Sequence, residues 1–382
     1  MLTLTYDTIS KEDIDGLADW LKTYPRLTKG QLTQEFEQKF AQKVGSKHAV
    51  FVNSGSSANL LAVACWQQYD ITTVVVPSLC WITDLSPVIQ LGMHPVIVDC
   101  DKYNLSINVD HFKEIVHKHK PQALILVSVL GLQPNMTEIM DICKENNIRV
   151  LEDACESFGS TFNGKWLGTF GGMGTFSFYY SHHLSTIEGG MVVTDDEELY
   201  MLLTMMRAHG WDRDLEPAAQ QYLRSTYNID DFSAKFTFYL TGFNLRPTEI
   251  QSYLGLRQLE RADAMVQHRF AITKAYRERL KKYGVWQPKF LSEPDVCSGF
   301  GWPVISNNRP EIVEKFNKIN VETRPLIAGS IRLHPILENH RYHNTDTPVA
   351  DAIHRQGLYL PIHTGMNDAD VEMVCDIILE KK

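Results

Sequence analysis

Residues 148–156 read I-R-V-L-E-D-A-C-E. A mostly apolar run, Ile148-Arg149-Val150-Leu151, leads into an acidic pair ending at Asp153. Strands that are almost continuously apolar must be covered on both faces, the situation of a parallel sheet between helical layers. Asp153 then stands at the carboxyl end of its strand, where open α/β sheets bind ligands. The same texture recurs outward from this point, in Ala49-Val50-Phe51-Val52, Val74–Val76, Pro95–Val98 and Ala123–Val127. Helical patterns over Ser57–Gln68 and Met136–Asn146 lie between these runs. Strands and helices in regular alternation fit successive right-handed crossovers. Gly174–Tyr179 and Gly190–Thr194 read as two further strands, so the expected class is α/β with a mixed, mostly parallel sheet.

A chain of 382 residues exceeds one ordinary core, and two domains are expected. Residues 1–260, including the N-terminal segment, form the large domain in this reading, and 261–382 a smaller α+β domain. Thr248–Leu280, charged and helix-periodic, carries the chain from one to the other. Trp211–Ser233 is polar and irregular and reads as a loop over the site. The apolar content of 44% and charged content of 22% are those of a soluble globular protein. A net charge of −9 argues against a nucleic-acid binder. There is no apolar run of about 18 residues to span a membrane. The start, M-L-T-L-T-Y-D-T, lacks the pattern of a signal peptide, so the expected compartment is the cytoplasm. The seven cysteines are dispersed without a C-x-x-C pair and read as reduced thiols; no metal site is expected.

Several short segments could carry chemistry. Ser54-Gly55-Ser56-Ser57 follows an apolar strand and opens a helix, where free N–H groups attract an anion such as phosphate. An ordinary capped turn would look the same. Asp153 could keep a pyridine nitrogen protonated, or simply cap a helix. Trp81, in P-S-L-C-W, could stack on a planar ring or serve as packing. Ser177 offers a hydroxyl to a phosphate, or is a bland serine. His182 and His183 form a pair that a solvent-facing loop would also tolerate. Singly these signals are weak.

Together, in order, they form a pattern. The segments S-G-S-S-A-N (54–59), P-S-L-C-W (77–81), L-E-D-A-C-E-S (151–157), G-T-F-S-F (174–178), E-G-G (188–190), R-A-H-G-W (207–211) and G-F-N-L-R-P (242–247) resemble the DegT/DnrJ/EryC1/StrS family of sugar aminotransferases. That resemblance implies the fold type I, aspartate-aminotransferase-like architecture and a pyridoxal-phosphate cofactor. The family's cofactor lysine lies six residues before the glutamate of E-G-G. Six before Glu188 stands His182, and there is no lysine between Lys165 and Lys235. The chain is therefore similar to the histidine branch of the family, the nucleotide-sugar 3-dehydratases, and Glu156, where ordinary members have glutamine, favours the same branch.

The resemblance assigns Asp153 to the pyridine nitrogen, Trp81 to the ring face, and Gly55, Ser56 and Ser177 to the phosphate. It puts Glu156 near the cofactor's hydroxyl and Asn244 on the phosphate of a partner subunit's cofactor, since family sites lie at a homodimer interface. His209 and Phe236 are placed near the substrate. Histidine cannot tether the cofactor as lysine does, but it carries protons near neutral pH. The implied reaction starts from the amine form, pyridoxamine phosphate. It expels the hydroxyl at carbon 3 of a nucleotide-linked 4-keto-6-deoxy sugar, with His182 as base, and yields a 3-deoxy-4-keto sugar and ammonia. L-Glutamate restores the amine. GDP-4-keto-6-deoxymannose or a GDP-4-keto-6-deoxyheptose is the expected substrate. A related branch uses an iron–sulfur cluster held by cysteines after the histidine segment; this chain has none between Cys155 and Cys297. An aminotransferase that has lost its lysine, and a non-catalytic binding homologue, are the competing readings.

Overall fold

The computed structural model describes residues 1–283, 285–291, 295–340 and 345–379. Its strands are β1 (His48–Val52), β2 (Thr73–Pro77), β3 (His94–Val98), β4 (Ala123–Val127), β5 (Arg149–Asp153), β6 (Thr161–Phe162), β7 (Lys165–Trp166), β8 (Met173–Ser177), β9 (Gly190–Thr194), β10 (Gly301–Ile305), β11 (Arg324–Pro325) and β12 (Gly357–Pro361). Seven of them form one sheet in the order β1-β9-β8-β5-β4-β2-β3. Pairing is parallel from β3 through β2, β4 and β5 to β8, and antiparallel on both sides of β9. The apolar runs explain this arrangement. Val74–Val76, Leu124–Leu126 and Val150–Leu151 are buried, and their two faces feed separate clusters of core residues. Helices on both faces supply the cover that such strands require.

The chain returns from β3 across the sheet to β4, so β2 and β5 lie on opposite sides of β4. Their carboxyl ends, and those of β8 and β4, open toward one place. Crevices of this kind are where doubly wound sheets hold ligands.

After the large sheet, one 33-residue helix, Glu249–Lys281, starts from a capping box in which Thr248 and Gln251 satisfy each other's backbone. Its first half packs on the helix Gln31–Val44. In its second half, Ile272, Tyr276 and Leu280 join the core beneath the antiparallel sheet β10-β12-β11. Residue 260 therefore falls inside a continuous helix. Residues 284, 292–294, 341–344 and 380–382 of the C-terminal unit lie outside the described residues. The N-terminal segment reaches across to that unit: Leu2 N–H donates to Asn320 O at 2.9 Å, and Glu322 N–H to Leu2 O at 2.9 Å.

One expectation is corrected. Trp211–Ser233 is not simply an irregular loop: Pro217–Thr226 is a helix with proline in its first turn. Leu223 and Leu215 pack with Met205 in a small core of their own, and Arg224 donates to Asp212 at 2.8 Å. Of this helix's residues only Leu223 is buried, so it adds little to the core. None of residues 211–233 lines the cavity described next.

Candidate active site

A cavity of about 520 Å³ opens at the carboxyl ends of the parallel strands. Its floor is the start of the helix Gly55–Cys65. Ser54 caps that helix, its Oγ accepting from Ser57 N–H at 3.0 Å. The N–H groups of Gly55 and Ser56 precede the first intrahelical bonds and carry the positive end of the helix dipole. Ser177, last residue of β8, closes on them. A Cβ at position 55 would lie 2.6 Å from that of Ser177, and one at Gly190 would lie 2.2 Å from Ser54 O. Glycine at both places is a steric requirement of this close approach.

Asp153 ends β5 and is 6% exposed. Its Oδ1 accepts from Cys155 N–H at 2.8 Å, and its Oδ2 from Asn59 Nδ2 at 2.7 Å. Trp81 follows β2 and is 55% exposed, unusual for a tryptophan on a cavity wall and well suited to a flat ligand. Glu156, half-buried, accepts from Leu130 N–H at 2.9 Å. Burial pushes its carboxyl up to about 8, against the opposing pull of that hydrogen bond.

The two adjacent histidines separate completely. His183 is 1% exposed, with Nε2 at 2.8 Å from Ser298 O, and belongs to the interior. His182 lines the cavity. Its Nδ1 lies 2.8 Å from Cys155 O, a contact that only an N–H can satisfy. The proton is thereby assigned to Nδ1, leaving Nε2 with the lone pair. Phe300 lies beside the ring, centroid to centroid 5.1 Å. Burial drives the imidazole down to about 4, outweighing the carbonyl and Asp153, which act the other way. His182 is thus a neutral imidazole held in one tautomer, the form that takes up a proton.

Of the residues singled out in the sequence, Gly55, Ser56, Trp81, Asp153, Glu156, Ser177 and His182 meet in this cavity. Asn244, His209 and Phe236 do not. His209 N–H donates to Phe243 O at 2.7 Å, and its ring sits 5.1 Å from that of Trp211. Phe236 is 73% exposed, and Asn244 Oδ1 accepts from Arg246 Nε at 3.0 Å. Other lining residues were not singled out in the sequence: Asp84, Tyr179, Phe300, Arg324 and Tyr359; Glu188 of the E-G-G motif lines the cavity too. Arg324 is the sole lysine or arginine on the wall among the described residues, steadied by Glu322 at 3.0 Å. It comes from β11, over 130 residues beyond Glu188, and no local pattern marks it. Among the described residues no cluster of three or more His, Cys, Asp or Glu side chains could hold a metal ion. No helix among them is long and apolar enough to cross a membrane.

These features fit a phosphorylated aromatic cofactor: an anion cradle, an exposed flat face, a carboxylate and a neutral base converge in one cavity. Comparison with known proteins agrees. Residues 7–379 match the DegT/DnrJ/EryC1/StrS aminotransferase family. The chain is 34% identical over 376 residues to the GDP-4-keto-6-deoxy-D-mannose 3-dehydratase of Escherichia coli O55:H7, with 94% of each chain covered. It is 36% identical over 316 residues to the protein of the same name from Yersinia pseudotuberculosis, with 79% of each covered. A solved structure of GDP-4-keto-6-deoxymannose-3-dehydratase with a trapped PLP–glutamate geminal diamine aligns over 99% of this chain and 100% of that one, with TM-score 0.89 and 30% identity.

Proposed function

The chain belongs to the DegT/DnrJ/EryC1/StrS aminotransferase family, and on that premise we propose that it is a pyridoxal/pyridoxamine-phosphate-dependent 3-dehydratase acting on a GDP-linked 4-keto-6-deoxy sugar. The observation that carries the reading is His182, set in the cavity as a neutral base at the position where family transaminases hold lysine. When bound, the cofactor supplies an amine for the sugar's C4 ketone and a ring that spreads negative charge. Gly55, Ser56 and Ser177 would hold its phosphate, Trp81 would cover one ring face, and Asp153 would keep the ring nitrogen protonated. Nε2 of His182 takes the proton that must be removed and delivers it to the departing hydroxyl at carbon 3. Cys155 O keeps the ring oriented through both transfers. No lysine lines the cavity among the described residues, so its wall offers no amine to compete for the cofactor.

Two anionic ligands visit the same cavity, the nucleotide sugar and L-glutamate, which restores the amine. Arg324 is the cation available to a carboxylate or phosphate of either. Asn244 serves the cofactor phosphate of a second copy, and this reading extends the same role to His209 and Phe236, expected near the substrate but outside this cavity. GDP-4-keto-6-deoxymannose leads as the substrate because relatives at 34% and 36% identity bear its name. A GDP-4-keto-6-deoxyheptose is the alternative.

The test is absorbance of the protein loaded with pyridoxal phosphate, followed by addition of L-glutamate and then of each GDP-sugar. Glutamate should convert the aldehyde spectrum to that of the amine, and the correct sugar should release ammonia and a 3-deoxy product. Formation of a 4-amino sugar without ammonia would instead make the chain an aminotransferase. No response to glutamate would favour a binding homologue.

A further inference from the structure

In the wall of the cavity lies a second acid that the reaction described above does not use. Asp84, near the start of the helix Ile82–Gln90, is 1% exposed, and its Oδ2 accepts from Trp81 N–H at 3.2 Å. Its Oδ1 lies 3.3 Å from Asn59 Nδ2, the same amide nitrogen that donates to Asp153 at 2.7 Å. Thr175 fixes the amide: its Oγ donates to Asn59 Oδ1 at 2.6 Å, which turns the NH₂ group toward the two acids. Asn59 is 1% exposed and Thr175 is fully buried. Trp81, Asp84, Asn59 and Asp153 therefore form one hydrogen-bonded chain, linking the residue assigned to the ring face with the residue assigned to the ring nitrogen.

Two carboxyl groups this close and this buried cannot both be ionised. The other titratable groups around Asp84 give no relief. Glu156 is acidic, Cys80 is a buried thiol and Cys155 a half-buried one, and the wall's one arginine among the described residues, Arg324, is steadied by Glu322. The hydrogen bonds decide which acid keeps the charge. Asp153 has the two short donors, at 2.7 and 2.8 Å. Asp84 has the two long ones and the deeper burial.

We infer that Asp84 is a positioning residue: it carries the one proton the pair shares, leaves Asp153 as the anion facing the cavity, and through Asn59 and Trp81 N–H holds Asp153 and Trp81 in register. Burial first, and then the charge of Asp153, push the Asp84 carboxyl well above the usual carboxylate range, in agreement with this assignment. The role in catalysis rests on the function proposed above; the protonation state does not.

The experiment is infrared spectroscopy of cofactor-free protein near pH 7. Glu156→Gln is the background, which removes one other carboxyl raised by burial, and the band is read as a difference so that Glu152, raised by burial as well, cancels. The carbonyl band of a protonated carboxyl should be present, and should lose the intensity of one carboxyl when Asp84→Asn is added. A spectrum that Asp84→Asn leaves unchanged would overturn the inference, because Asp84 would then be ionised. A second arm reads the glutamate half-reaction in the otherwise natural chain. Asp84→Ala should slow it about 100-fold, the scale of an ångström of misplacement. Asp84→Asn, a neutral residue of the same shape, should recover most of that loss. Equal loss in both variants would also overturn the inference. If the natural protein shows the band yet ignores glutamate, the dehydratase reading fails while the shared proton stands.

Discussion

The cavity wall and the segment 207–247 came from the same ordered set of sequence motifs, yet the structure treats them oppositely. The wall residues sit at strand ends or in the turns that follow, and they face one another across about 520 Å³. The segment 207–247 packs Leu215 and Leu223 inward but turns several aromatic side chains outward. Phe236 and Phe238 are 73% and 56% exposed, and Arg213 lies over the rings of Trp211 and Phe236 at 3.9 and 4.7 Å. A group of exposed aromatics is the mark of a surface that meets something else. The contrast teaches that a motif reports what a residue type is good for, while the chain path decides whose cavity it serves.

The sharpest way to break this contrast is at the wall. His182→Asn should slow the glutamate half-reaction by about 10³-fold or more, the worth of a general base, while cofactor binding survives. Stopped-flow absorbance measures the first and equilibrium titration the second. In the natural protein the same rate should show no acid limb near the ordinary imidazole value of about 6.5, because the fold pushes His182 down to about 4. A limb near 6.5 would mean that the base lies elsewhere.

Arg324→Met comes next. Loss of a charged hydrogen bond is worth about 1.5–3 kcal/mol, so kcat/KM for glutamate or for the GDP-sugar should fall about tenfold to a hundredfold. Whichever ligand is spared does not use this arginine. For the outward-facing segment, Phe236→Ala should weaken self-association by about 1–2 kcal/mol, read by sedimentation. Mixing inactive His182→Asn with inactive Asn244→Ala should restore activity, because hybrids contain one undamaged site. A fully active monomer would remove the partner-facing role altogether.

An effect on stability and not on rate belongs to Glu156→Gln. In the fold this carboxyl is pushed up to about 8 from 4.5, so between those values the folded chain keeps a proton that the unfolded chain has released. Its contribution is intact below 4.5 and is lost as pH rises through 8. Calorimetry should find the two proteins nearly equal at pH 5. Glu156→Gln should become the more stable as pH approaches 9.

Much of the large sheet was legible because its cause is local. Val74–Val76 and Leu124–Leu126 are apolar on both faces, and only a covered strand tolerates that. The helix Pro217–Thr226 was not legible, since it buries almost nothing. Nor was the difference between His182 and His183: adjacent residues of one kind carry no label saying which faces the cavity and which the core. Asp84 and Asn59 were hidden for another reason. Asp84 lies just past one motif and Asn59 is the last polar residue of another, and their meaning is a contact across 25 residues of chain with each other and, for Asn59, across 94 with Asp153.

By itself, then, the sequence determined the α/β alternation, the anion cradle at Gly55, the acid at the end of β5 and the absence of a lysine near His182. These are properties of single residues and of short-range periodicity. The tertiary structure decided the tautomer of His182, the proton shared by Asp84 and Asp153, and the arrival of Arg324 from the C-terminal unit. Hydrogen-bond geometry and burial set protonation, and both exist only once distant segments have packed together.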